Sequence, residues 1–190
     1  MSETILLDHG SGGVLTHQLI ADLFVKHFDN RPLNALTDSA VLNIGAGALA
    51  FTTDSYVVKP IFFPGGNIGK LAVCGTVNDL AVAGARPLYL SAGFIIEEGL
   101  LLEDLEKIVL TMGAEAVKCG VTIVTGDTKV VEKGACDQIF INTAGIGIIA
   151  EPYQNISFGT DVQVGDHILV NGYIADHGMA VLGKRNELDF

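Results

Sequence analysis

Four aspartates stand where a carboxylate suits ligand binding better than it suits folding. Asp54 and Asp127 each follow a strand-like segment, Asp38 precedes one, and Asp79 lies within an apolar stretch of helical length. A buried carboxylate without a partner is costly. Aspartates at strand ends can meet at one edge of a sheet, where hard cations such as Mg²⁺ take oxygen ligands together with substrate phosphates. A metal–phosphate site is therefore one interpretation of this set.

A purely structural role is the competing interpretation, because Asp is common in turns and at helix N-termini. For Asp38 taken alone, the structural interpretation is the better one. For Asp79 it is weak, since capping does not explain an aspartate among Val77, Leu80 and Val82.

Glycines and a lysine lie just before this apolar stretch. Gly65, Gly66 and Gly69 would let the backbone approach a phosphate closely. Lys70 and Lys129 could supply point charges to phosphate oxygens or take part in proton transfer. A solvated surface position is a fair alternative for Lys129 and a poorer one for Lys70 in its glycine setting.

The familiar nucleotide-loop motifs do not match. Gly69-Lys70 resembles the end of a Walker A motif, but Pro64 replaces its first glycine and Leu71 its Ser or Thr. GxGxxA patterns at 45–50 and 145–150 do not open a helix, so we interpret them as chance matches.

Composition limits the class of protein. The chain has 190 residues, 49% of them hydrophobic, and a net charge of −11, which argues against nucleic acid as a partner. The three cysteines form no CxxC pair, as expected of free thiols in a reducing compartment. No signal peptide or membrane-spanning stretch is evident, so we expect a cytoplasmic protein without a membrane partner.

The elements that must position these residues alternate between helices and strands. The pattern predicts the following elements: helices at 14–28, 66–83, 101–118 and 175–186, and strands at 40–44, 48–53, 88–96, 121–125, 138–149 and 167–171. The polar segment 151–165 is the best domain boundary. We therefore expect one domain over 1–155, followed at 156–190 by a linker and the start of a truncated second domain.

Seven segments in order, HGSGG, TTDSY, FFPGGNIGKLAVCGTVNDLAVAGARP, GFIIEEG, VTGDTKVV, FINTAGIG and DHG, resemble the N-terminal part of the HypE family of hydrogenase maturation factors. The likeness extends from His9 to about Leu182. Related families share a looser aspartate pattern: aminoimidazole ribonucleotide synthetase, selenophosphate synthetase and thiamine-monophosphate kinase.

The resemblance implies an α/β (α+β) fold: a mixed sheet with helices packed on one face, pairing with its copy in a homodimer. ATP would lie near that interface, with its phosphates under the glycine-rich N-terminal segment. The residues that match the family's site are these: Asp38, Asp54, Asp79 and Asp127 for Mg²⁺; His9, Gly12, Gly13, Asp54, Lys70, Asn78, Gly126 and Asp127 for nucleotide; and Lys129 for catalysis.

The resemblance also implies an activity. HypE receives a carbamoyl group from HypF on a C-terminal cysteine, dehydrates it to a thiocyanate with ATP, and passes cyanide to iron on the HypC–HypD complex. Phe190 ends this chain without such a cysteine, so we expect no dehydration by the chain alone. A non-catalytic dimerisation or docking module, and another synthetase or kinase of the superfamily, are the alternatives.

Overall fold

A computed structural model of the chain describes residues 8, 11–28, 30–43, 45 and 47–188. Its centre is a five-stranded sheet in the order β1-β2-β7-β5-β6, in which only the β5–β6 pair among these strands is parallel. The sheet strands are β1 (Ala40–Asn43), β2 (Ala48–Tyr56), β5 (Ala85–Glu97), β6 (Thr122–Val131) and β7 (Ile139–Ile149). A separate two-stranded ladder pairs β3 (Phe62–Phe63) with β4 (Gly66–Asn67).

Six α-helices accompany the sheet in the described part of the chain. They are α1 (Val14–Leu19), α2 (Lys26–Phe28), α3 (Arg31–Asn34), α4 (Ile68–Val82), α5 (Leu102–Cys119) and α6 (Asp176–Arg185). A π-helical segment, Ile20–Val25, joins α1 to α2. Two short 3-10 helices follow β7, at Glu151–Tyr153 and Ile156–Phe158.

Helices α4 and α5 cover one face of the sheet. The side chain of Asn67 caps α4 by accepting from the backbone N–H groups of Gly69 and Lys70. Gly69 lets the two helices approach closely, since a Cβ there would lie 2.7 Å from the carbonyl oxygen of Ile108. At the other end of α5, Gly120 adopts φ 69° as its C-terminal residue.

The strands alternate between a covered and an open face. In β7, Ile139, Ile141 and Thr143 are buried under the helices. The residues between them point away from the helices. This second face, which we call the outer face, carries several exposed apolar side chains: Phe51, Tyr89, Ile95, Ile146 and Ile148.

The predicted fold class is confirmed, and three local predictions need correction. The helix predicted at 14–28 forms, and none of its side chains is buried. The strand predicted at 167–171 is wrong, because no neighbouring strand pairs with this described segment and Ile168 is 97% exposed. Both β2 and β6 extend past their predicted ends, so Asp54 and Asp127 lie inside strands rather than after them.

No helix in the described ranges combines the length and the apolar character needed to cross a membrane.

Candidate carboxylate site

The hydroxyl of Thr52 holds two of the predicted site segments together. Its Oγ1 lies 3.0 Å from Asp79 Oδ2 and 3.0 Å from the backbone carbonyl oxygen of Asp38. Ser39 Oγ donates to the backbone carbonyl of Asp79 at 3.0 Å. Strand β2, the segment entering β1 and the C-terminal part of α4 therefore meet at one point.

Asp54 reaches the same region from β2. Its Oδ2 accepts a hydrogen bond of 2.9 Å from the Tyr56 hydroxyl. Asn142 Nδ2 donates to the Asp54 backbone carbonyl at 2.9 Å. Both the main chain and the side chain of Asp54 are thus held by neighbours.

Three carboxylates, those of Asp38, Asp54 and Asp79, form this cluster. The charge of Asp79 is repelled by the charges of the other two. Partial burial raises the pKa of Asp79, a hydrogen bond from Thr52 opposes that shift, and the negative charges of Asp54 and Asp38 add to it. A divalent cation would relieve this repulsion.

The carboxylate cluster suits Mg²⁺ in two respects, the type of its ligand atoms and its negative charge. Carboxylate oxygens are the ligands that this ion prefers, and the three come from separate elements that converge. As the side chains stand, no group of three or more His, Cys, Asp or Glu residues in the described ranges is arranged to hold a metal.

Asp127 and Lys129 lie on the opposite face of the sheet. In the β5–β6 ladder they pair with Gly93 and Ile95, and Ile95 is on the outer face. The two side chains form an exposed ion pair, with Lys129 Nζ 3.5 Å from Asp127 Oδ2. Within one chain, the structure therefore does not bring Asp127 to the face that carries Asp54 and Asp79.

Gly126, beside Asp127, has a structural reason to be glycine. A Cβ at this position would collide with the backbone carbonyl of Ala92. The residue therefore permits the close β5–β6 approach whether or not it also contacts a ligand.

Lys70 and Asn78 occupy different parts of α4. Lys70 Nζ donates to the backbone carbonyl of Gly65 at 2.9 Å. It lies in the first turn of the helix, nine residues before Asp79, and is therefore about 13.5 Å from it along the axis at 1.5 Å per residue. Asn78 is exposed next to Asp79. The structure thus separates Lys70 from the carboxylates with which the sequence grouped it.

The N-terminal glycines lie at the start of α1. Gly12 adopts φ 78°, and its N–H donates to Thr16 Oγ1 at 2.9 Å. Gly13 is the N-terminal cap residue of the helix. His9 lies outside the described residues.

Hydroxyl residues beneath the carboxylates were missed by sequence reasoning. Thr76 and Thr143 are fully buried, and their Oγ1 atoms lie 2.6 Å apart. Burial raises the pKa of Tyr56 well above its usual value, and the neighbouring Asp54 adds to this, against a Thr76 hydrogen bond that lowers it. The alternation Thr52, Asp54, Tyr56 along one strand was the available signal, because all three point to the same face.

The fold and site define a class: an α/β domain whose helix-covered face presents clustered carboxylates and whose other face is open. The chain belongs to the family described as AIR synthase related protein, N-terminal domain, which matches residues 36–149.

Within this family, the chain is similar to HypE proteins. It is 52% identical to the carbamoyl dehydratase HypE of Rhizobium leguminosarum bv. viciae over 185 residues, which cover 97% of this chain and 52% of that protein. The chain thus spans about half the length of the curated relatives it matches.

Two solved structures show the same similarity. A HypE–HypF complex superposes with a TM-score of 0.79 at 52% identity, covering 90% of this chain and 55% of the other. A HypE structure in complex with ATP gives a TM-score of 0.71 at 56% identity, covering 98% and 55%.

Proposed function

We propose that this chain is the ATP-binding and dimer-forming part of a carbamoyl dehydratase of the HypE type, with that domain at 1–155 and a linker leading towards a second domain at 156–190. The main observation behind this proposal is that Asp38, Asp54 and Asp79 come together from three elements. Their negative charges repel one another there. The relatives named carbamoyl dehydratase and the HypE–ATP structure support this choice.

The proposed reaction is a dehydration driven by phosphoryl transfer. The carbamoyl group is bound through its carbon to a cysteine sulfur. Its oxygen attacks the γ-phosphorus of ATP, and ADP leaves. The nitrogen then loses its two protons as the C–O bond breaks, which yields phosphate and a thiocyanate. The oxygen is a poor leaving group until it is phosphorylated, so this first transfer makes the second step possible.

Mg²⁺ held by the cluster would neutralise the phosphate charge during that transfer. In the same proposal His9, Gly12, Gly13, Lys70, Asn78 and Gly126 contact the nucleotide, and Lys129 takes part in catalysis. The acidic chain binds a triphosphate only with such cations, since its own net charge is −11.

A homodimer accounts for the position of Asp127. The outer face carries Ile146 and Tyr89, exposed by 38% and 47%. Exposed apolar patches of this kind are typical of protein interfaces. If two copies pair through this face and the adjoining sheet edges, Asp127 and Lys129 of one copy approach the carboxylate cluster of the other.

The HypE–HypF structure supports HypF as a partner, and we propose that HypF donates the carbamoyl group. We further propose the HypC–HypD complex as acceptor of the cyanide, and the cytoplasm as the compartment.

Calorimetric titration of the chain with ATP and Mg²⁺ tests the site. Asp79→Asn should weaken Mg²⁺-dependent ATP binding by tenfold or more, on the order of 1.4 kcal/mol or above. Asp161→Asn, an exposed change in the connector, is the matched control and should bind as wild type does. Equal binding by both variants would remove the cluster from the nucleotide site.

A further inference from the structure

A chain of hydroxyl groups leads from the buried interior to Asp54. Thr143 Oγ1 lies 2.6 Å from Thr76 Oγ1, which lies 3.1 Å from the Tyr56 hydroxyl. The Tyr56 hydroxyl in turn lies 2.9 Å from Asp54 Oδ2. The chain connects β7, α4 and β2, so it ties the covered face of the sheet to its main helix.

The inner end of this chain is fixed by the backbone. Thr143 Oγ1 lies 2.9 Å from the carbonyl oxygen of Ala72, inside α4. Thr143 is also the direct cross-strand partner of Asp54 in the β2–β7 ladder. The network therefore begins and ends on neighbouring positions of two paired strands, which leaves Tyr56 little freedom to move.

A glycine makes room for the tyrosine. A Cβ at Gly75 would collide with the Tyr56 hydroxyl and lie 3.0 Å from two of its ring carbons. Glycine inside a helix costs about 1 kcal/mol relative to alanine. The local sequence thus accepts a weaker helix at the position where the phenol must fit.

Packing alone does not require these hydroxyls. Phenylalanine and valine would fill nearly the same volumes as Tyr56 and Thr76, without buried polar groups that need partners. What the hydroxyls add is a directed hydrogen bond: the phenol of Tyr56 donates to Asp54 Oδ2 and so sets the orientation of that carboxyl group.

We propose that Tyr56 is a positioning residue, held by Thr76 and Thr143, that orients the Asp54 carboxylate for a divalent cation. This inference rests on the proposed function, in which Asp54 binds Mg²⁺ and nucleotide. Hydrogen-bond partners of metal ligands typically change metal affinity by about 10–100-fold when removed.

The test uses Mn²⁺ as the probe, with binding followed by electron paramagnetic resonance in the presence of a non-hydrolysable ATP analogue. Tyr56→Phe should weaken Mn²⁺ binding by about tenfold or more. Tyr153→Phe changes a tyrosine that is 52% exposed and should leave binding unchanged.

A pair of variants at Thr76 separates orientation from packing. Thr76→Ser keeps the hydroxyl and should bind Mn²⁺ nearly as wild type does, whereas Thr76→Val keeps the volume and should weaken binding. If Tyr56→Phe fails to fold by circular dichroism, this pair decides the question by itself. Equal Mn²⁺ binding by the serine and valine variants would overturn the proposal.

Asp54→Asn distinguishes this failure from failure of the proposed function. If Asp54→Asn loses Mn²⁺ while Tyr56→Phe keeps it, Tyr56 is not a positioning residue and the metal site stands. If Asp54→Asn and Asp79→Asn both bind as wild type does, the proposed function itself is wrong.

Discussion

The hydroxyl of Thr52 donates to Asp79 Oδ2 over 3.0 Å, and this contact joins the interior of β2 to the last turns of α4. It places a helical carboxylate against a strand that carries a second one, Asp54. The arrangement is unfavourable for the protein without a ligand, because it brings like charges together in a partly buried place. Such a cost is typical of sites that bind a counter-charge.

Asp79→Asn should therefore stabilise the ligand-free protein at neutral pH. The folded-state pKa of Asp79 is raised, so the unfolded chain holds fewer protons and stability falls as pH rises from the unfolded pKa through the folded one. The gain should be below about 1 kcal/mol, since the carboxylate is partly solvated. Urea denaturation at pH 7 measures it.

Two further conditions check the origin of this effect. Below the unfolded pKa of aspartate, about 3.9, the stability difference should vanish because both states are protonated. Adding Mg²⁺ with ATP should stabilise the wild type and not Asp79→Asn, which reverses their order. A variant that is less stable at every pH would show that Asp79 is a structural residue.

Mixing two defective chains should restore binding if the site is shared between copies. Asp79→Asn and Asp127→Asn alter opposite faces of the sheet, so a mixed dimer keeps one intact combination. After random exchange, about one quarter of the sites should bind ATP in calorimetry, because half the dimers are mixed and each has one good site.

The control for this experiment uses two changes in the same cluster. Asp54→Asn mixed with Asp79→Asn leaves no intact cluster on either chain and should recover nothing. Absence of recovery from the first pair would exclude a site in which Asp79 and Asp127 come from different copies, and recovery by the second pair would show that Asp54 and Asp79 do not act from the same chain.

Gly69→Ala should destabilise the packing of α4 on α5. Its Cβ would lie 2.7 Å from the Ile108 carbonyl oxygen and 2.8 Å from Met112 Cγ, and the backbone atom cannot turn aside. Overpacking of this kind costs roughly 1–3 kcal/mol. Gly113→Ala, in open space on α5, should instead stabilise by up to about 1 kcal/mol through helix propensity. Thermal unfolding of both variants tests the contrast, which equal melting temperatures would contradict.

Gly75→Ala and Tyr56→Phe should be coupled. Alanine at Gly75 collides with the tyrosine hydroxyl, so its cost should be smaller where that hydroxyl is absent. A double-mutant cycle by urea denaturation should give a coupling energy of about 0.5–3 kcal/mol. Strict additivity would mean that the two side chains do not share this space.

Glu97 should make the loop between β6 and β7 sensitive to acid. Its carboxylate accepts from the N–H groups of Gly134 and Gln138, the latter at 3.0 Å, and these two bonds lower the pKa of Glu97. Its contribution is therefore complete above the unfolded pKa of glutamate and is lost as pH falls through the folded pKa. Hydrogen-exchange protection of the two amides should fall in acid in the wild type but stay flat in Glu97→Gln.

Local patterns predicted the helices well and the strands less well. The helix expected at 101–118 is observed as Leu102–Cys119, because its apolar spacing and Gly120 are local signals. The length of β2 depends on β7, which lies about ninety residues later and pairs with it through Tyr56. No local pattern reports a partner so far along the chain.

The site was predicted in part for the same reason. Asp79 could be recognised as a candidate site residue from its residue type, because an aspartate is unexpected in an apolar stretch. The partners that orient it, such as Thr52, are ordinary strand residues until the fold shows which face they occupy. The expectation that Asp127 ends a strand left its side of the sheet undefined, and the extended β6 places it on the outer face.

The sheet ends at β1 on one side and at β6 on the other, and both edges flank the apolar outer face. Edge strands of this kind are templates for pairing with other chains, and Ala40–Asn43 carries neither lysine nor proline to prevent it. Self-association through a defined interface would cover this surface. Assembly would then protect each chain from aggregation during and after folding, so variants that block pairing should first be recognised by poor solubility.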